Sequence, residues 1–191
     1  MPSTHSDSSA AVEGKFSILG KSEFRGETTL TVQREEIVAI CRFCRESLGF
    51  DFLIDISSVD NFGEEPRFEM VYELSSLATN EHLRLKLAVS EDEPNVGTVS
   101  EVWPTANWHE REIFDMMGIS FNGHPDLRRI LMWEGYPYYP LRKDFPLGGK
   151  PTEVPEVAFT KAAPLEGGPF VTLPGTATVK DREPRSRRMD E

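Results

Sequence analysis

The chain has 191 residues, which is enough for one domain with its own core and few for two. Its 32 acidic and 21 basic residues give a net charge of -11, so we expect no nucleic-acid partner, because phosphate backbones are also anionic. No apolar run approaches the roughly 18 residues that a membrane-spanning helix needs. Any membrane association is therefore expected to go through partner proteins.

Residues 1–24 are predicted to be a disordered leader. They have no apolar stretch typical of a signal peptide, and Asp7 and Glu13, with no arginine before Arg25, argue against a mitochondrial transit peptide. The chain's two cysteines cannot form a disulfide framework. We therefore expect a reduced, intracellular protein.

The pattern of residues 25–146 predicts one α+β domain. A β-prone run at 28–32 precedes an amphipathic helix at 34–48, which should end at Gly49. Three alternating segments then predict half-buried strands in an antiparallel meander with one covered face and one charged face. Their predicted core positions are Phe50, Phe52, Ile54 and Ile56, then Phe68, Met70, Tyr72 and Leu74, then Leu83, Leu85, Leu87 and Val89.

Two short helices are predicted to follow the meander. Thr98 with Glu101, and Asn107 with Glu110, each have the spacing of a helix capping box, and Pro104 separates the two pairs. The second helix should span residues 108–117.

Residues 147–191 are predicted to form a long extended C-terminal tail. The stretch is rich in proline and glycine and has no helical or strand periodicity. Such a tail cannot bury a core of its own, so we expect it to wrap on a neighbouring protein.

Cys41 and Cys44 form a C-x-x-C motif, which occurs in zinc sites and in thioredoxin-type dithiols. A structural zinc site needs four ligands, and no second cysteine pair exists. A redox dithiol uses the first turn of its helix, whereas Cys41 should lie about two turns into the predicted one. We favour two core residues, with a dithiol redox protein as an alternative.

The segment from His109 to Ile113 resembles the H-E-x-x-H zinc-peptidase motif, but Ile113 stands where the second histidine is required. The simpler interpretation is a solvated helix face on which Arg111 and Asp115 form an i,i+4 ion pair. An independent metal-dependent hydrolase is the alternative of a different class, and its ligands or catalytic groups would be His109, Glu110, Glu112, Asp115 and His124.

No catalytic centre is expected in this chain. It has neither G-x-x-x-x-G-K nor G-x-G-x-x-G for phosphate binding, and no G-x-S-x-G for a nucleophile. Residues 123–146 instead combine aromatic side chains with arginines, which is typical of protein interfaces. The simpler interpretation of that segment is a packed loop layer over the sheet.

Two motifs resemble the signature of a family of bacterial respiratory complex I, the proton-translocating NADH:quinone oxidoreductase: the family of its C subunit, also called the 30 kDa subunit. They are EREIFDMMGISFNGHPDLRRILM at residues 110–132 and PLRKDFPLGG at residues 140–149. The resemblance extends over about residues 28–146, and the tail is similar in character.

The resemblance implies a non-catalytic structural subunit of the peripheral arm. It would carry no cofactor, while FMN and iron-sulfur clusters would lie in partner subunits. It would dock on the homologue of the D subunit, with subunits B and I nearby, on the cytoplasmic face of the bacterial plasma membrane. The expected interface or structural residues are Glu110, Arg111, Glu112, Asp115, His124, Asp126, Arg128, Arg129, Arg142, Lys143 and Asp144.

Within that signature, Arg128 or Arg129 is expected to form buried charge pairs with the helix carboxylates. The nearest alternative function is a homologous subunit of an energy-converting hydrogenase or of another quinone-linked dehydrogenase.

Overall fold

The computed structural model describes residues 5–146, and the predicted tail at 147–191 lies outside them. Three α-helices and seven strands make up this part of the chain. In chain order they are α1 (His5–Glu13), β1 (Ile18–Phe24), β2 (Glu27–Val32), a 3-10 turn (Arg34–Glu36), α2 (Ile37–Leu48), β3 (Phe52–Asp60), β4 (Phe68–Ser76), β5 (Glu81–Val89), β6 (Asn95–Gly97), α3 (Ala106–Met117) and β7 (Ser120–Asn122).

The main sheet has five strands in the order β1-β2-β5-β4-β3. The predicted meander of β3, β4 and β5 is antiparallel, and the α+β class is confirmed. The sheet is nevertheless mixed, because β2 pairs with β5 in parallel, with Leu30 opposite Leu85. A purely antiparallel sheet was the wrong expectation here, since local alternation shows which face a residue occupies but not which distant strand becomes its neighbour.

The prediction of a disordered leader is wrong for residues 5–24. Val12 of α1 is fully buried in the core, and β1 forms an antiparallel hairpin with β2. Arg25 and Gly26 both have positive φ, as the tight turn of such a hairpin requires. The strand escaped detection because an edge strand can be held by backbone hydrogen bonds while most of its side chains stay exposed.

A bulge in β3 changes which side chains face the core. The register shifts between Leu53 and Asp55, so Leu53 and Ile56 are buried, whereas Phe52 and Ile54 are 44% and 40% exposed. The prediction that Phe52 and Ile54 point inward is therefore wrong. An inserted residue reverses the alternation, and alternation in the sequence cannot reveal it.

The second face of the sheet is charged, as predicted. Arg84 on β5 binds Glu73 on β4 and Glu27 on β2, and Lys86 binds Glu69 at 2.7 Å. Each ion pair joins neighbouring strands, so this face is held by cross-strand pairs.

Helix α2 covers the other face and ends at Gly49 in the left-handed conformation, as predicted. Cys41 and Cys44 are fully buried in the core cluster. Desolvation raises the pKa of Cys44 to about 12, and burial also raises the pKa of Cys41 well above its ordinary value. Reactive thiolates are therefore disfavoured at both positions.

Only one helix follows the meander within residues 5–146, so the prediction of two short helices is wrong. Residues 100–102 and 104–105 form turns instead of a helix, with the backbone N–H of Trp103 bonded to the carbonyl of Val99. Neither predicted capping box forms, because the Thr98 hydroxyl bonds Ser100 and Glu110, and Glu110 is buried. No helix in this part of the chain is long and apolar enough to cross a bilayer.

Candidate functional site

Helix α3 places the signature charges on different faces. Glu110, Arg111 and Asp115 are buried, whereas Glu112 is exposed. The buried charges point toward two neighbouring segments, the turn at 98–100 and the long loop at 124–144. The site is therefore a set of hydrogen bonds and ion pairs that attach these two segments to α3.

The Asp115 carboxylate holds the loop by four side-chain hydrogen bonds. Its Oδ2 accepts the backbone N–H groups of residues 130–132 at 3.0, 2.7 and 2.8 Å, and its Oδ1 accepts Arg129 Nη1 at 2.6 Å. Three successive amides aimed at one oxygen form an anion-binding concavity, here filled by the chain's own side chain. Asp115 thus fixes both the path of residues 129–132 and the position of a guanidinium.

Arg129 and the aromatic residues after it form a second packed layer. The guanidinium lies 5.8 Å from the ring centre of Tyr136 and 5.3 Å from that of Tyr139. Below it a small core joins Met116 of α3 to the loop, and its members are Met116, Met132 and Tyr136, with Trp133 and Tyr138 packed against them.

Glu110 joins α3 to the turn before it. Its Oε1 accepts the Val99 N–H at 2.7 Å and its Oε2 accepts the Thr98 hydroxyl at 2.5 Å. Desolvation raises the pKa of Glu110 to about 7, although the bonds from Thr98 and Val99 act in the opposite direction. A substantial fraction of this carboxyl is therefore protonated near neutral pH.

His124 begins the loop and is fixed through both ring nitrogens. Its Nδ1 accepts the Asp126 N–H at 3.0 Å, which places the ring proton on Nε2, 3.3 Å from the Asn107 carbonyl. Glu110 Oε2 lies 3.8 Å from the same nitrogen. His124 therefore attaches the loop to the first turn of α3.

The two adjacent loop arginines differ. Arg129 forms the buried pair with Asp115, whereas Arg128 is 72% exposed and pairs with exposed Asp126 at 3.0 Å. The predicted Arg111–Asp115 pair is absent from the ion pairs of residues 5–146. Arg111 instead donates to the Arg128 carbonyl at 3.1 Å and lies over the Trp108 ring, because the loop inserts acceptors beside it.

A buried arginine outside the signature gathers a further group, which we call the Arg67 cluster: Asp60, Arg67, Glu91 and Asp144. Arg67 binds both oxygens of Asp60 at 2.8 and 2.9 Å. Those bonds lower the pKa of Asp60 and raise the pKa of Arg67, against the effect of desolvation. The sequence gives no sign of this role, because Glu91 and Asp144 are far from Arg67 in the chain.

Arg142 fastens the last part of the loop. Its Nε donates to the Met117 carbonyl at 2.7 Å, and its guanidinium lies between the rings of Phe68 and Tyr139. Gly118 permits this close approach, because a Cβ there would lie 2.6 Å from the Tyr139 ring and 2.8 Å from Arg142 Nη2. Among the signature residues of this segment, Lys143 contributes its backbone N–H, 2.7 Å from Asp60 Oδ2.

The residues of the metal-hydrolase alternative are not gathered into one site. His109 Nδ1 lies 3.1 Å from Asp55, Asp115 binds Arg129, and Glu112 is exposed. Among residues 5–146 no group of three or more His, Cys, Asp or Glu side chains could hold a metal ion.

Comparison with known proteins identifies the family. Residues 30–151 match the family model described as the 30 kDa subunit of respiratory-chain NADH dehydrogenase. The chain is 52% identical over 138 residues to the NADH-quinone oxidoreductase C subunit of Geobacter sulfurreducens, covering 72% of this chain and 85% of that one. It is 51% identical over 145 residues to the C subunit of Roseiflexus castenholzii, covering 75% and 80%. This chain belongs to the 30 kDa subunit family.

Solved structures agree with this membership in the 30 kDa subunit family. A trypsin-resistant fragment of Nqo5 is 31% identical, with a TM-score of 0.55, over 62% of this chain and 95% of the fragment. A chain of an archaeal membrane-bound sulfane sulfur reductase, described as a respiratory membrane complex, is 25% identical, with a TM-score of 0.63, over 73% of this chain and 83% of that one. The fold therefore also occurs in a second kind of respiratory complex.

Proposed function

We propose that this member of the 30 kDa subunit family is a non-catalytic, cofactor-free structural subunit of the peripheral arm of NADH:quinone oxidoreductase. It supports NADH-to-quinone electron transfer, coupled to proton translocation, by docking on the homologue of the D subunit, with subunits B and I nearby. FMN and the iron-sulfur clusters belong to partner subunits. Membrane association, on the cytoplasmic face of the bacterial plasma membrane, is through the complex only.

One observation carries the proposal: the buried charges of the signature bind the chain's own backbone. Asp115 holds residues 130–132, Glu110 holds the turn at Val99, and Arg142 holds the end of α3. A catalytic carboxylate needs access to a substrate, whereas these are turned to internal amides. These contacts favour a structural role, in which the buried charges hold the loop and thereby shape the surface that it presents.

The surface shaped in this way carries exposed apolar side chains. Three of them are mostly exposed: Trp108, Leu131 and Leu141. Trp108 lies on α3 against Arg111, whereas Leu131 and Leu141 lie on the loop that Asp115 and Arg142 bind. Trp and Arg are enriched at the centres of interfaces, and the two exposed leucines add apolar area to this surface. We assign this surface to contact with the homologue of the D subunit.

The test compares Asp115→Asn with Glu93→Gln in the complex as it assembles in the native organism. Asp115→Asn weakens a buried pair and turns an N–H group toward backbone donors, which should cost roughly 3–5 kcal/mol of folding free energy. Glu93 lies outside the signature and belongs to an exposed pair with Arg34, for which the cost should be about 0–1 kcal/mol. We expect Asp115→Asn to reduce the amount of assembled complex and Glu93→Gln to leave it unchanged.

Two readouts separate structural from catalytic roles. Quinone reduction per assembled complex should stay at the level of the unaltered enzyme in both variants, while only the amount of complex falls. Full assembly with lost turnover would contradict the proposal. Chemical cross-linking followed by mass spectrometry should join residues 128–144 to the homologue of the D subunit, and cross-links only to other subunits would reject that docking partner.

A second candidate within the superfamily is a subunit of another respiratory membrane complex, which the likeness to the archaeal sulfane sulfur reductase chain favours. Affinity purification of the tagged chain from membranes distinguishes the two. Co-purification with NADH-oxidising subunits supports the first candidate, and co-purification without them supports the second.

A further inference from the structure

The Arg67 cluster connects three segments that are distant in the sequence. Arg67 binds Asp60 at the end of β3, Glu91 in the loop after β5 and Asp144 in the last part of the chain described. The distances to Glu91 and Asp144 are 2.5 and 2.8 Å. Its own side chain is 3% exposed, whereas Glu91 and Asp144 are nearly half exposed. Only a guanidinium offers enough donors in one plane to bind all three carboxylates.

The cluster also holds the backbone of the same loop. Asp60 Oδ2 accepts the Lys143 N–H, so one buried carboxylate binds Arg67 and the loop together. Two residues earlier, the Leu141 N–H donates to the Met116 carbonyl at 3.2 Å. Residues 141–144 are thus attached at one end to α3 and at the other to the β3–β4 hairpin.

Leu141, one of the exposed apolar side chains of the proposed docking surface, belongs to these attached residues. The position of an exposed side chain on a loop is set by the neighbouring residues that are fixed. We infer that Asp60 and Arg67 are positioning residues for docking on the homologue of the D subunit. They fix residues 141–144, and thereby hold Leu141 toward that partner, without contacting it themselves.

This inference rests on the proposed structural role and adds residues to it. Asp60 and Arg67 alone would suffice to close the β3–β4 hairpin, because they flank its turn. Two further bonds reach the loop at 143–144, which has no part in the hairpin. The additional partners are what a fixed position of residues 141–144 requires.

The test uses Asp144→Asn in the full chain, with Glu27→Gln as its matched control. Each residue is a half-exposed carboxylate bound to an arginine that keeps another carboxylate partner. Asp144→Asn should speed amide hydrogen exchange at Lys143 and Phe145 by about tenfold, because local opening becomes easier. The melting temperature of the isolated chain should change little in either variant.

Assembly is the second measurement. Asp144→Asn should lower the yield of complex co-purified with the tagged chain several-fold. Arg67→Lys should lower it further, because a single ammonium lacks the planar fork by which three nitrogens of Arg67 bind Asp60, Glu91 and Asp144. Glu27→Gln should leave it unchanged.

The possible failures are distinguishable. Unchanged exchange in Asp144→Asn would show that the cluster does not fix the loop, and faster exchange with undiminished assembly would show that docking does not need the fixed loop. Either result overturns the inference and leaves the proposed function standing. Absence of partner subunits from purifications of the unaltered chain would instead reject the proposed function.

Discussion

Glu110 illustrates how a buried carboxyl can be structural and still titrate. It lies within α3, bound to Thr98 and Val99, and His124 faces it from the loop. Desolvation raises the pKa values of Cys41 on α2 and Tyr72 on β4, and the nearby charge of Glu110 makes a smaller contribution in the same direction. Because none of these neighbours is a fixed cation, burial dominates and favours the neutral acid.

The raised pKa predicts a stability that depends on pH. The ordinary pKa of 4.5 applies to the unfolded chain and about 7 to the folded one, so the folded state binds the proton more tightly. The stabilisation is complete below the unfolded pKa and is lost as pH rises through the folded pKa. As pH rises from 4.5 to about 7, the free energy of unfolding should therefore fall by about 3 kcal/mol.

Glu110→Gln should remove that dependence, because an amide can still accept from Val99 and carries no charge. Urea unfolding at about pH 5 and about pH 8 should show the variant gaining stability relative to the unaltered chain at the higher pH. Glu112→Gln, on the exposed side of the same helix, is the control and should preserve the original pH dependence. A parallel shift of both variants would contradict the assignment to Glu110.

At the scale of elements, α2 and α3 end in the same way but in different surroundings. Gly49 and Gly118 both adopt the left-handed conformation that closes a helix, with φ of 77° and 75°. A Cβ on Gly49 would meet nothing within 4 Å, whereas one on Gly118 would meet Tyr139 and Arg142. Gly118 therefore serves the helix end and the loop together.

Replacing each glycine by alanine should separate the two effects. Gly49→Ala should destabilise the chain by about 1–2 kcal/mol through backbone strain alone. Gly118→Ala should add about 1–3 kcal/mol for the displaced side chains. Urea denaturation measures both, and equal costs would indicate that residues 139–142 move aside freely.

The elements were predictable where the signal was local. Apolar periodicity and a terminal glycine identified α2, and alternation identified β4 and β5, because these patterns arise within one segment. The bulge at Leu53 and the parallel pairing of Leu30 with Leu85 depend on contacts between segments. Neither leaves a pattern in a single sequence.

At the scale of the whole molecule, one continuous core extends from α1 through the main sheet to α3, and the two cysteines lie inside it. Their burial and raised pKa values remove the conditions for thiolate chemistry in the folded chain. The C-x-x-C spacing follows from the one-turn repeat of a helix whose inner face requires small apolar side chains.

Thiol labelling should therefore report global unfolding. In the isolated chain, Cys41 and Cys44 should react with an alkylating reagent only as the core opens, so the labelled fraction should rise along the same urea transition as the loss of secondary structure. Mass spectrometry of the quenched reaction measures it. Rapid labelling of either cysteine without urea would contradict the core assignment and reopen the dithiol alternative.

The sequence predicted which residues belong to the site better than it predicted how those residues pair. The signature pointed to Asp115, His124 and Arg129 as residues of one region, and the structure brings them together around α3 and its loop. It could not reveal that Arg111 binds a carbonyl, or that Asp60 and Arg67 join the group. Such pairings depend on the path of residues 124–144, which has neither helical nor strand periodicity.

The charged face of the main sheet also affects the chain before it meets a partner. A protein of a large assembly exists for a time alone, when an uncovered apolar sheet would attract other unfinished chains. Here Arg84 and Lys86 pair with carboxylates on adjacent strands, so the middle of the open face is polar and its charges are balanced. Before assembly, that part of the sheet should therefore remain hydrated and should not attract other chains.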